Sequence, residues 1–448
     1  MRLLTLGAVA LLACACTPYP GASTASSKVQ PAAAVDAVRH AAIALRSQPT
    51  DYDALVASIG DSTRILLGES THGTQEYYRE RARITLRLVR ERGVSAVAIE
   101  GDWSPTSRVN RYVRGLGSDR SSREALRGFT RFPRWMWSNA QFAEFVEQLR
   151  AHNLTLPAEQ RVGLYGMDVY DLFDAADAVV DGLQRVDRAA ARRVRSHYRC
   201  FGSYGRNTYT YGAAVRSARK SCQAQAAAAL AEVRRLPLPC APQAAEAHFD
   251  LVRAAASVVA AEEYFRATYG GENAWNLRDR RMVDTVETVA EHQQRLIGRP
   301  AKVVIWSHNS HTGDARATDA AKRGELNIGQ LMKQRHGPQT YLVGFFTHGG
   351  TVLAASQWDQ PGLRQRLRPA LPESHSGLFH RTGTAALLLV VRGNAELERR
   401  LAAPMLQRAV GVVYVPNAER RAHYFSAVLP RQFDAAIYFD QTEAVRPL

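Results

Sequence analysis

Short, continuously apolar runs recur along the chain and alternate with longer segments of helical periodicity. Arg64–Leu67 is the first run, residues 74–92 carry apolar residues at helical spacing, and residues 95–100 form the next run. A strand, a helix and a strand in this order predict a parallel pair of buried strands. Further runs of this kind lie at 161–166, 302–306, 340–345, Ala386–Val390 and 435–439. The predicted fold class is α/β, with a central, mostly parallel sheet and flanking helices.

The composition changes between about residues 175 and 295, where Ala, Arg, Glu and Gln dominate and turn signals are few. This pattern predicts a large helical insertion, packed as an antiparallel bundle against the sheet. The chain has 448 residues, 46% of them hydrophobic, which is ample for a large core. Residues 33–448 are therefore predicted to form one domain that includes the insertion.

The first residues have the features of an export signal. A basic start and an apolar stretch lead to Leu11-Leu12-Ala13-Cys14, which resembles the bacterial lipobox. Residues 1–16 are predicted to be a signal peptide, and residues 17–32, rich in Ser, Ala, Pro and Gly, a flexible linker. The protein is then exported to the periplasm and anchored to a membrane by lipid on Cys14. An ordinary signal peptide, cut near Ala15 or Ala22, is the alternative.

Three cysteines remain beyond the signal: Cys200, Cys222 and Cys240. An odd number in an oxidising compartment predicts one disulfide and one free thiol. We predict that Cys200 pairs with Cys222, although the sequence alone leaves the pairing open.

The formal net charge of +16 comes from 53 arginines and 5 lysines that are dispersed along the chain. No segment combines clustered basic residues with interleaved aromatic residues or a nucleic-acid-binding motif. We therefore expect a solvated basic surface that favours anionic lipid headgroups, and no nucleic-acid partner.

Ionisable residues cluster where the predicted strands end. The carboxyl ends of parallel strands share one edge of a sheet, where ligands bind. The clustered residues at these ends are Glu69, His72, Glu100, Asp102, Asp168, His308 and His311. A catalytic or binding cleft is therefore predicted at this edge.

Several short motifs resemble the erythromycin esterase family, in the same order from about residue 35 to the end. They are GESTHG at 68–73, the helix that contains Arg81, AIE at 98–100, FPRWMW at 132–137, YGMD at 165–168, NLRDR at 276–280, WSHNSH at 306–311 and FDAAI at 433–437. The resemblance implies an α/β core with added helices and a deep cleft. It also implies that a histidine activates water to hydrolyse an ester, with macrolide lactones as the best-known substrates.

By motif position, the resemblance makes His72 the general base and gives it charged and imidazole partners, namely Glu69, Glu100, Arg81, His308 and His311. The chemistry suits these residue types. A neutral imidazole can take a proton from water, and a carboxylate on its other nitrogen, from Glu69 or Glu100, fixes the tautomer. The tetrahedral intermediate needs a fixed donor for its oxyanion. Candidates are Arg81, His308 and His311, and one of the two histidines could also protonate the departing alkoxide.

The predicted substrate-binding residues are Trp135, Trp137, Arg134, Asp168 and Arg278. The two tryptophans could form a wall for a large apolar substrate, with core packing as the alternative. Arg134 could contact substrate or make a surface ion pair. Asp168 and Arg278 could support the site from behind.

Two other mechanisms compete with direct attack by water. Ser70 could be a nucleophile, but a nucleophile elbow requires Gly-x-Ser-x-Gly, and here His72 occupies the last position. The carboxylates and histidines could instead bind zinc or manganese, although there is no His-Glu-x-x-His motif. We expect hydrolysis without a cofactor, with a divalent metal as the alternative.

The sequence thus predicts a hydrolase of a small-molecule ester or macrolactone, with no obligate protein partner. The family's familiar role is intracellular antibiotic inactivation. An export signal is unexpected for that role, so the sequence does not identify the substrate. The alternatives are a metal-dependent hydrolase of another ester or amide, and a non-catalytic envelope binding protein with the same cleft.

Overall fold

The computed structural model describes residues 32–218, 220–239 and 241–448. The predicted signal peptide, Cys14, Cys240 and all of the predicted linker except Ala32 lie outside the described residues. Among the residues described, no helix is both long and apolar enough to cross a membrane.

Eleven strands occur in the described ranges. They are β1 Ile43–Ala44, β2 Arg64–Leu67, β3 Ala96–Ile99, β4 Gly163–Gly166, β5 Val303–Trp306, β6 Thr340–Ala354, β7 Leu363–Leu367, β8 Ala386–Val390, β9 Met405–Arg408, β10 Tyr424–Ala427 and β11 Ala435–Thr442.

The same ranges contain eighteen α-helices. They are α1 Ala32–Ala41, α2 Asp53–Ile59, α3 Gln75–Arg92, α4 Trp103–Val113, α5 Ser122–Ala125, α6 Ala140–Asn153, α7 Phe173–Val186, α8 Arg188–Tyr198, α9 Thr208–Ala218, α10 Gln223–Arg234, α11 Pro242–Gly270, α12 Ala274–Ile297, α13 Asn309–Thr312, α14 Ile328–His336, α15 His375–His380, α16 Ala395–Arg400, α17 Glu419–Ala422 and α18 Leu429–Gln432.

Nine strands form one sheet in the order β1-β8-β11-β6-β2-β5-β3-β4, with β7 paired to β6. The pairs from β11 through β4 are parallel. The pairs of β8 with β1 and β11, and of β6 with β7, are antiparallel. Strands β9 and β10 form a separate antiparallel pair. The predicted α/β class, with a mostly parallel sheet, flanking helices and a helical insertion, is confirmed.

The central strands are buried on both faces, which explains why they read as continuous apolar runs. Successive residues point to opposite sides of the sheet. Leu66 therefore packs in the core layer that also contains the insertion helices. Ile65 and Leu67 pack in the opposite layer, with residues of α3 and α6.

Helices α7 to α12 form the insertion, and a buried polar network joins it to the sheet. On α11, Glu246 accepts hydrogen bonds from the Tyr165 hydroxyl of β4 at 3.0 Å and from Asn110 of α4 at 2.9 Å. His292 of α12 lies 2.7 Å from the second Glu246 oxygen. These bonds satisfy a carboxylate that burial would otherwise penalise, and so they hold the insertion in register with the sheet.

The predicted disulfide is confirmed. Cys200 and Cys222 are bonded, with their Cα atoms 5.8 Å apart. The bond closes a loop that contains helix α9. Thr208 and Tyr209, at the start of this helix, line the cavity described below. The disulfide therefore supports one wall of that cavity.

Replacing both Cys200 and Cys222 with serine should lower the free energy of unfolding by about 3 kcal/mol, because the unfolded chain regains loop entropy. Denaturant unfolding of the double variant and of the unmodified chain measures this difference. A loss below about 1 kcal/mol would show that the bond adds little to stability.

Candidate active site

A cavity of about 730 Å³ opens at the carboxyl ends of the parallel strands. Strands β2, β5, β3 and β4 are consecutive in the sheet, so their ends lie side by side. The loops that follow them contribute His72, His308, Glu100 and Asp168 to the cavity lining. The cavity continues toward α9, α11 and α12 of the insertion. The ionisable residues predicted at successive strand ends are therefore neighbours in space.

Two glycines fix the loop that holds Glu69 and His72. A Cβ atom at Gly68 would collide with the Asn309 side chain, and one at Gly73 would collide with the backbone carbonyl of Leu353. Only glycine allows such close approach at both positions. The loop is thereby held between the ends of β5 and β6.

Glu69 and His72 form a buried pair. His72 Nδ1–H donates to Glu69 Oε1 at 2.8 Å, because a carboxylate only accepts. In the neutral ring the other nitrogen, Nε2, then carries no proton and can accept one. Since His72 lines the cavity, the pair presents a base to it.

Arg81 lies behind Glu69. Its Nη2 donates to Glu69 Oε2 at 2.8 Å, and its guanidinium sits over the rings of Tyr78 and Trp306 at 4.7 and 4.8 Å. Arg81 is completely buried and is not among the described residues that line the cavity. Its position supports anchoring of the Glu69 carboxylate and not the predicted contact with an oxyanion.

His308 faces His72, with their ring centroids 4.9 Å apart. His308 Nδ1 accepts hydrogen bonds from the Ser310 backbone N–H at 3.3 Å and from the Ser310 hydroxyl at 2.9 Å. The proton of the neutral ring must therefore be on Nε2, which is buried and makes no hydrogen bond of standard geometry among the described residues, although the Ser70 backbone carbonyl lies close to the ring as an acceptor. Burial holds the pKa of His308 well below its usual range. His308 is a neutral hydrogen-bond donor next to the base.

Replacing His308 with asparagine should make stability less dependent on pH. Because burial depresses the His308 pKa, below about pH 6.5 the unfolded chain binds a proton that the folded chain does not, and stability falls as the pH falls. Asparagine can cap Ser310 but does not titrate, so it removes up to about 1.4 kcal/mol per pH unit of this slope. Denaturant unfolding at about pH 6.5, the ordinary imidazole pKa, and at about pH 5.0, well below it, measures the slope. An unchanged slope would contradict the assignment.

Glu100 lies at the centre of a charged network. Its Oε2 accepts from the His308 backbone N–H at 2.8 Å, and its Oε1 accepts from Arg278 Nη2 at 2.8 Å. Arg278 also donates from Nε and Nη2 to both oxygens of Asp168, at 2.8 Å each. Burial opposes ionisation of Glu100, but the charges of His311 and Arg278 and the hydrogen bond from the His308 backbone N–H hold its pKa well below its usual range. Glu100 is therefore ionised and positions His308.

His311 occupies the other side of this network. Its Nδ1 lies 2.9 Å from Asp279 Oδ1, and its Nε2 lies 3.4 Å from Glu100 Oε1 and 3.2 Å from Arg278 Nη1. Burial lowers the pKa of His311, but the charges of Asp279 and Glu100 outweigh it and raise the pKa above its usual value. The ring stacks on Trp275 at 4.5 Å. Both ring nitrogens are thus engaged by the protein.

The predicted aromatic wall divides into one residue in the cavity and one in the core. Trp137 lines the cavity and donates from Nε1 to the Glu100 carbonyl at 2.9 Å. Arg134 also lines it. Trp135 is buried against Gly362 and is not among the described residues of the lining. Its position favours core packing, the alternative given for it above, because its ring fills the space beside that glycine.

Several site residues were not predicted. Asp279 and Trp275 hold His311, and Tyr170 and Asp171 line the cavity with aromatic residues of the insertion. Asp102, predicted at the end of β3, lines it as well. Asp279 follows Arg278 within the NLRDR motif, which was the available signal. The cavity-lining aromatic residues of the insertion carry no such local signal.

Ser70 is 1% exposed and is not among the described residues that line the cavity. Its hydroxyl lies 2.8 Å from the Tyr77 hydroxyl. A nucleophile must reach the substrate and hydrogen-bond a base, and the position of Ser70 supports neither.

Replacing Ser70 with alanine should leave kcat/KM within about threefold of the unmodified chain, because a role in packing affects stability more than transition-state binding. The cost should fall on stability, about 1 kcal/mol, since the buried Tyr77 hydroxyl loses its partner. Steady-state kinetics and denaturant unfolding measure the two effects. Complete loss of turnover in a folded variant would favour a serine nucleophile.

The histidines and carboxylates at the strand ends do not converge on one point as metal ligands would. In the parts of the chain that the structure describes, no three His, Cys, Asp or Glu side chains are arranged to hold a metal ion. The carboxylate oxygens of Glu69 and Glu100 already accept hydrogen bonds from protein donors, and this explains why they are not directed at a shared metal position.

Comparison with known proteins places the chain among relatives. The model of the erythromycin esterase family matches residues 89–442. The match begins after the loop that holds Glu69 and His72, so the roles of these two residues are argued from the geometry described above and not from the family match.

Solved structures share the fold. A protein described as a succinoglycan biosynthesis protein is 18% identical, with a TM-score of 0.75, over 94% of this chain and 100% of that chain. A Bacillus cereus protein is 16% identical, with a TM-score of 0.73, over 93% and 98%. A mutant of the erythromycin esterase EreC in its open conformation is 16% identical, with a TM-score of 0.57, over 89% and 95%. At these identities the likeness shows the fold alone.

Proposed function

The chain belongs to the erythromycin esterase family, and we propose that it hydrolyses an ester or macrolactone bond with a water molecule activated by His72. The observation that carries this proposal is the buried Glu69–His72 pair at the cavity wall. Family membership supports a hydrolase, and the pair supplies a base with a fixed tautomer.

In the proposed reaction, His72 Nε2 takes a proton from water while the water oxygen attacks the ester carbonyl carbon. The carbonyl π electrons move to oxygen and give a tetrahedral oxyanion. When the intermediate collapses, the bond to the leaving oxygen breaks, and the protonated His72 gives its proton to that oxygen. The products are a carboxylic acid and an alcohol, and His72 returns to its neutral form.

His308 is the proposed oxyanion donor. Its Nε2–H makes no hydrogen bond of standard geometry among the described residues, with only the Ser70 backbone carbonyl near the ring as an acceptor, and its depressed pKa keeps the ring neutral. A preorganised donor of this kind stabilises charge that develops in the transition state. Glu100 fixes the His308 backbone, and the Ser310 hydrogen bonds fix its tautomer.

His311 and Arg278 are proposed to support the site electrostatically. Because the carboxylates of Asp279 and Glu100 face the two His311 nitrogens, at 2.9 and 3.4 Å, His311 has no N–H directed at the leaving oxygen. This assigns the acid step to His72. Substrate contacts fall to Trp137, Arg134 and the aromatic residues of the insertion that line the cavity.

A cavity of about 730 Å³ has the size of sites that enclose drug-sized ligands, which supports a macrolactone or another bulky ester as substrate. We also propose, from the sequence, that the protein is a periplasmic lipoprotein anchored through Cys14 and that it protects its cell from antibiotic esters. Mass spectrometry of the mature N-terminus tests the anchor separately.

Incubating the purified chain with macrolides and bulky aryl esters, followed by mass spectrometry of the small molecules, tests the function. The proposal expects at least one substrate to gain the mass of one water. It also expects turnover to persist after exhaustive chelation, because no metal takes part in the proposed steps. A folded chain that hydrolyses none of them would contradict the proposal, and loss of turnover on chelation with recovery on adding zinc would favour the metal-dependent alternative.

A further inference from the structure

Helix α8 of the insertion carries a stripe of arginines on its exposed side. Residues 181–199 contain six arginines and two aspartates. Four of these arginines recur at spacings of four, three and four residues, which places them on one face of the helix. They are exposed, and they are Arg188, Arg192, Arg195 and Arg199. The side of α8 that packs in the bundle is formed instead by Ala190, Ala191, Val194 and Tyr198.

Acidic residues do not neutralise this arginine stripe. Within the described residues, its first three arginines form no ion pair and no side-chain hydrogen bond, and Asp181 forms no ion pair either. Asp187 accepts two backbone N–H groups at the start of α8, at 2.8 and 2.9 Å. Glu232 of α10 pairs with Arg193 and Arg235, which lie off the stripe. The stripe therefore keeps a net positive charge that favours an anionic partner.

Two apolar side chains are exposed near the start of the stripe. Val186 is 70% exposed and Leu238 is 77% exposed, which makes them the most exposed large apolar side chains among the described residues. Val186 is the last residue of α7, and a single residue separates it from α8. Leu238 follows the end of α10 by four residues. A partner that removed these side chains from water would gain free energy by doing so.

Val186 and Leu238 lie at the same end of the helical bundle. Helices α8 and α10 pack against each other, and the disulfide joins the segment after α8 to the residue before α10. The two helices are therefore antiparallel. The ion pair of Arg193 with Glu232, at 2.9 Å, agrees with this arrangement. The end of α10, which leads to Leu238, thus lies beside the start of α8, which follows Val186.

A bilayer surface that contains anionic phospholipid suits both features. Lipid phosphates accept charge-assisted hydrogen bonds from guanidinium groups. The boundary between the headgroups and the acyl chains accommodates apolar side chains such as Val186 and Leu238. A soluble polyanion would satisfy the arginines but would leave these two side chains in water.

We infer that the arginine stripe of α8, together with Val186 and Leu238, forms a docking face for an anionic phospholipid bilayer. The inference goes beyond the proposed function, because none of these residues is among the described residues that line the cavity. The docking face is also separate from the predicted lipid on Cys14. It gives the insertion a contact with the membrane surface in addition to its contacts with the sheet.

Co-sedimentation of the purified full chain with vesicles tests this inference. One set of vesicles contains about 30% phosphatidylglycerol in phosphatidylcholine, and the other contains phosphatidylcholine alone. We expect the chain to bind the anionic vesicles about 100-fold more tightly at low ionic strength, and this preference should shrink at about 0.5 M salt. Lipid on Cys14 would contribute equally to both vesicles, so the ratio reports on the protein surface. Equal affinities would overturn the inference.

Replacing three arginines of the stripe with glutamine should remove most of this preference. Each basic residue near an anionic membrane contributes about a factor of five in affinity, so we expect the triple variant to bind the anionic vesicles about 100-fold less tightly. The substitutions are Arg188→Gln, Arg192→Gln and Arg195→Gln. A thermal melt checks folding, which should persist because these side chains are exposed. Undiminished affinity in the folded variant would overturn the docking face.

The matched control removes the same charge from another surface. Three arginines around α5 are also exposed and form no ion pair within the described residues, namely Arg120, Arg123 and Arg127. Changing these three to glutamine should alter the affinity for anionic vesicles by less than about threefold, because salt screens charges that lie outside the docking face. Equal losses in the two triple variants would show that net charge alone governs binding, and would overturn the inference.

A double variant, Val186→Asn with Leu238→Asn, separates a bilayer from a soluble polyanion. It keeps every arginine, so it should bind heparin as tightly as the unmodified chain does. It should bind the anionic vesicles about tenfold less tightly, because the apolar contacts are lost. Unchanged affinity for the vesicles would overturn the assignment to a bilayer in favour of a soluble polyanion. His72→Ala should bind the vesicles normally, so failure of the proposed hydrolase would leave the docking face intact.

Discussion

Replacing His72 with alanine is expected to lower kcat/KM by about 1,000-fold, within the range that a positioned general base contributes. The loss should appear in kcat, because His72 acts on water in the transition state and not on the bound substrate. Steady-state kinetics with whichever ester the chain hydrolyses measures it. The folded state should persist, since the His72 ring faces the cavity and leaves Glu69 paired with Arg81.

His40→Ala is the control for this variant. His40 is an exposed histidine on α1, hydrogen-bonded to its own helix at the Asp36 carbonyl. Its replacement should leave kcat/KM within about twofold. If His72→Ala kept kcat/KM within tenfold of the unmodified chain, about 1.4 kcal/mol, the base would have to be another residue.

Replacing Glu69 with glutamine should be nearly as damaging, again about 1,000-fold in kcat, without removing any atom from the ring that acts as base. Glutamine can still accept from Arg81 through its oxygen, but it then presents an N–H to His72 Nδ1. The His72 proton must move to Nε2, and that nitrogen can no longer take a proton from water. The wrong tautomer therefore accounts for the loss.

Glu80→Gln is the matched control for loss of a buried charge. Glu80 is a buried carboxylate on α3 that accepts from Tyr52, Arg79 and Arg83, at 2.7 to 2.9 Å, outside the cavity. Both variants should lower the free energy of unfolding, because each leaves arginine with a weaker partner. Only Glu69→Gln should lower kcat. Equal kcat in the two variants would contradict the role of Glu69 in setting the tautomer.

The sequence predicted the core of the fold because parallel strands buried on both faces leave a strong local pattern. Strands β2 and β8 have the predicted bounds, and the other predicted runs lie within or overlap observed strands. The pattern did not reveal β7, whose residues are mostly exposed, the two-residue β1, or the separate pair formed by β9 and β10. The pattern also could not predict that β5 lies between β2 and β3, because strand order depends on packing between segments that are distant in sequence.

Part of the site was predictable for the same reason, because Glu69, His72, Glu100 and His308 each follow a buried strand. The contacts that each of these side chains makes could not be predicted from the sequence. Arg81 and Trp135 lie in segments with the right motifs but point into the core. The roles of His308 and His311 differ because Ser310 caps one ring and Asp279 holds the other. Such differences arise from packing between elements distant in sequence.

Intact-protein mass spectrometry during turnover tests the central claim most directly. The chain is mixed with its ester in H₂¹⁸O and the reaction is quenched within one turnover. The masses of the protein and of the product are then measured. Direct attack by water activated at His72 predicts an unmodified protein mass at every time point and one ¹⁸O atom in the acid product. It also predicts that His72→Ala forms product about 1,000-fold more slowly. A protein that gains the mass of the acyl group before product appears would contradict the account.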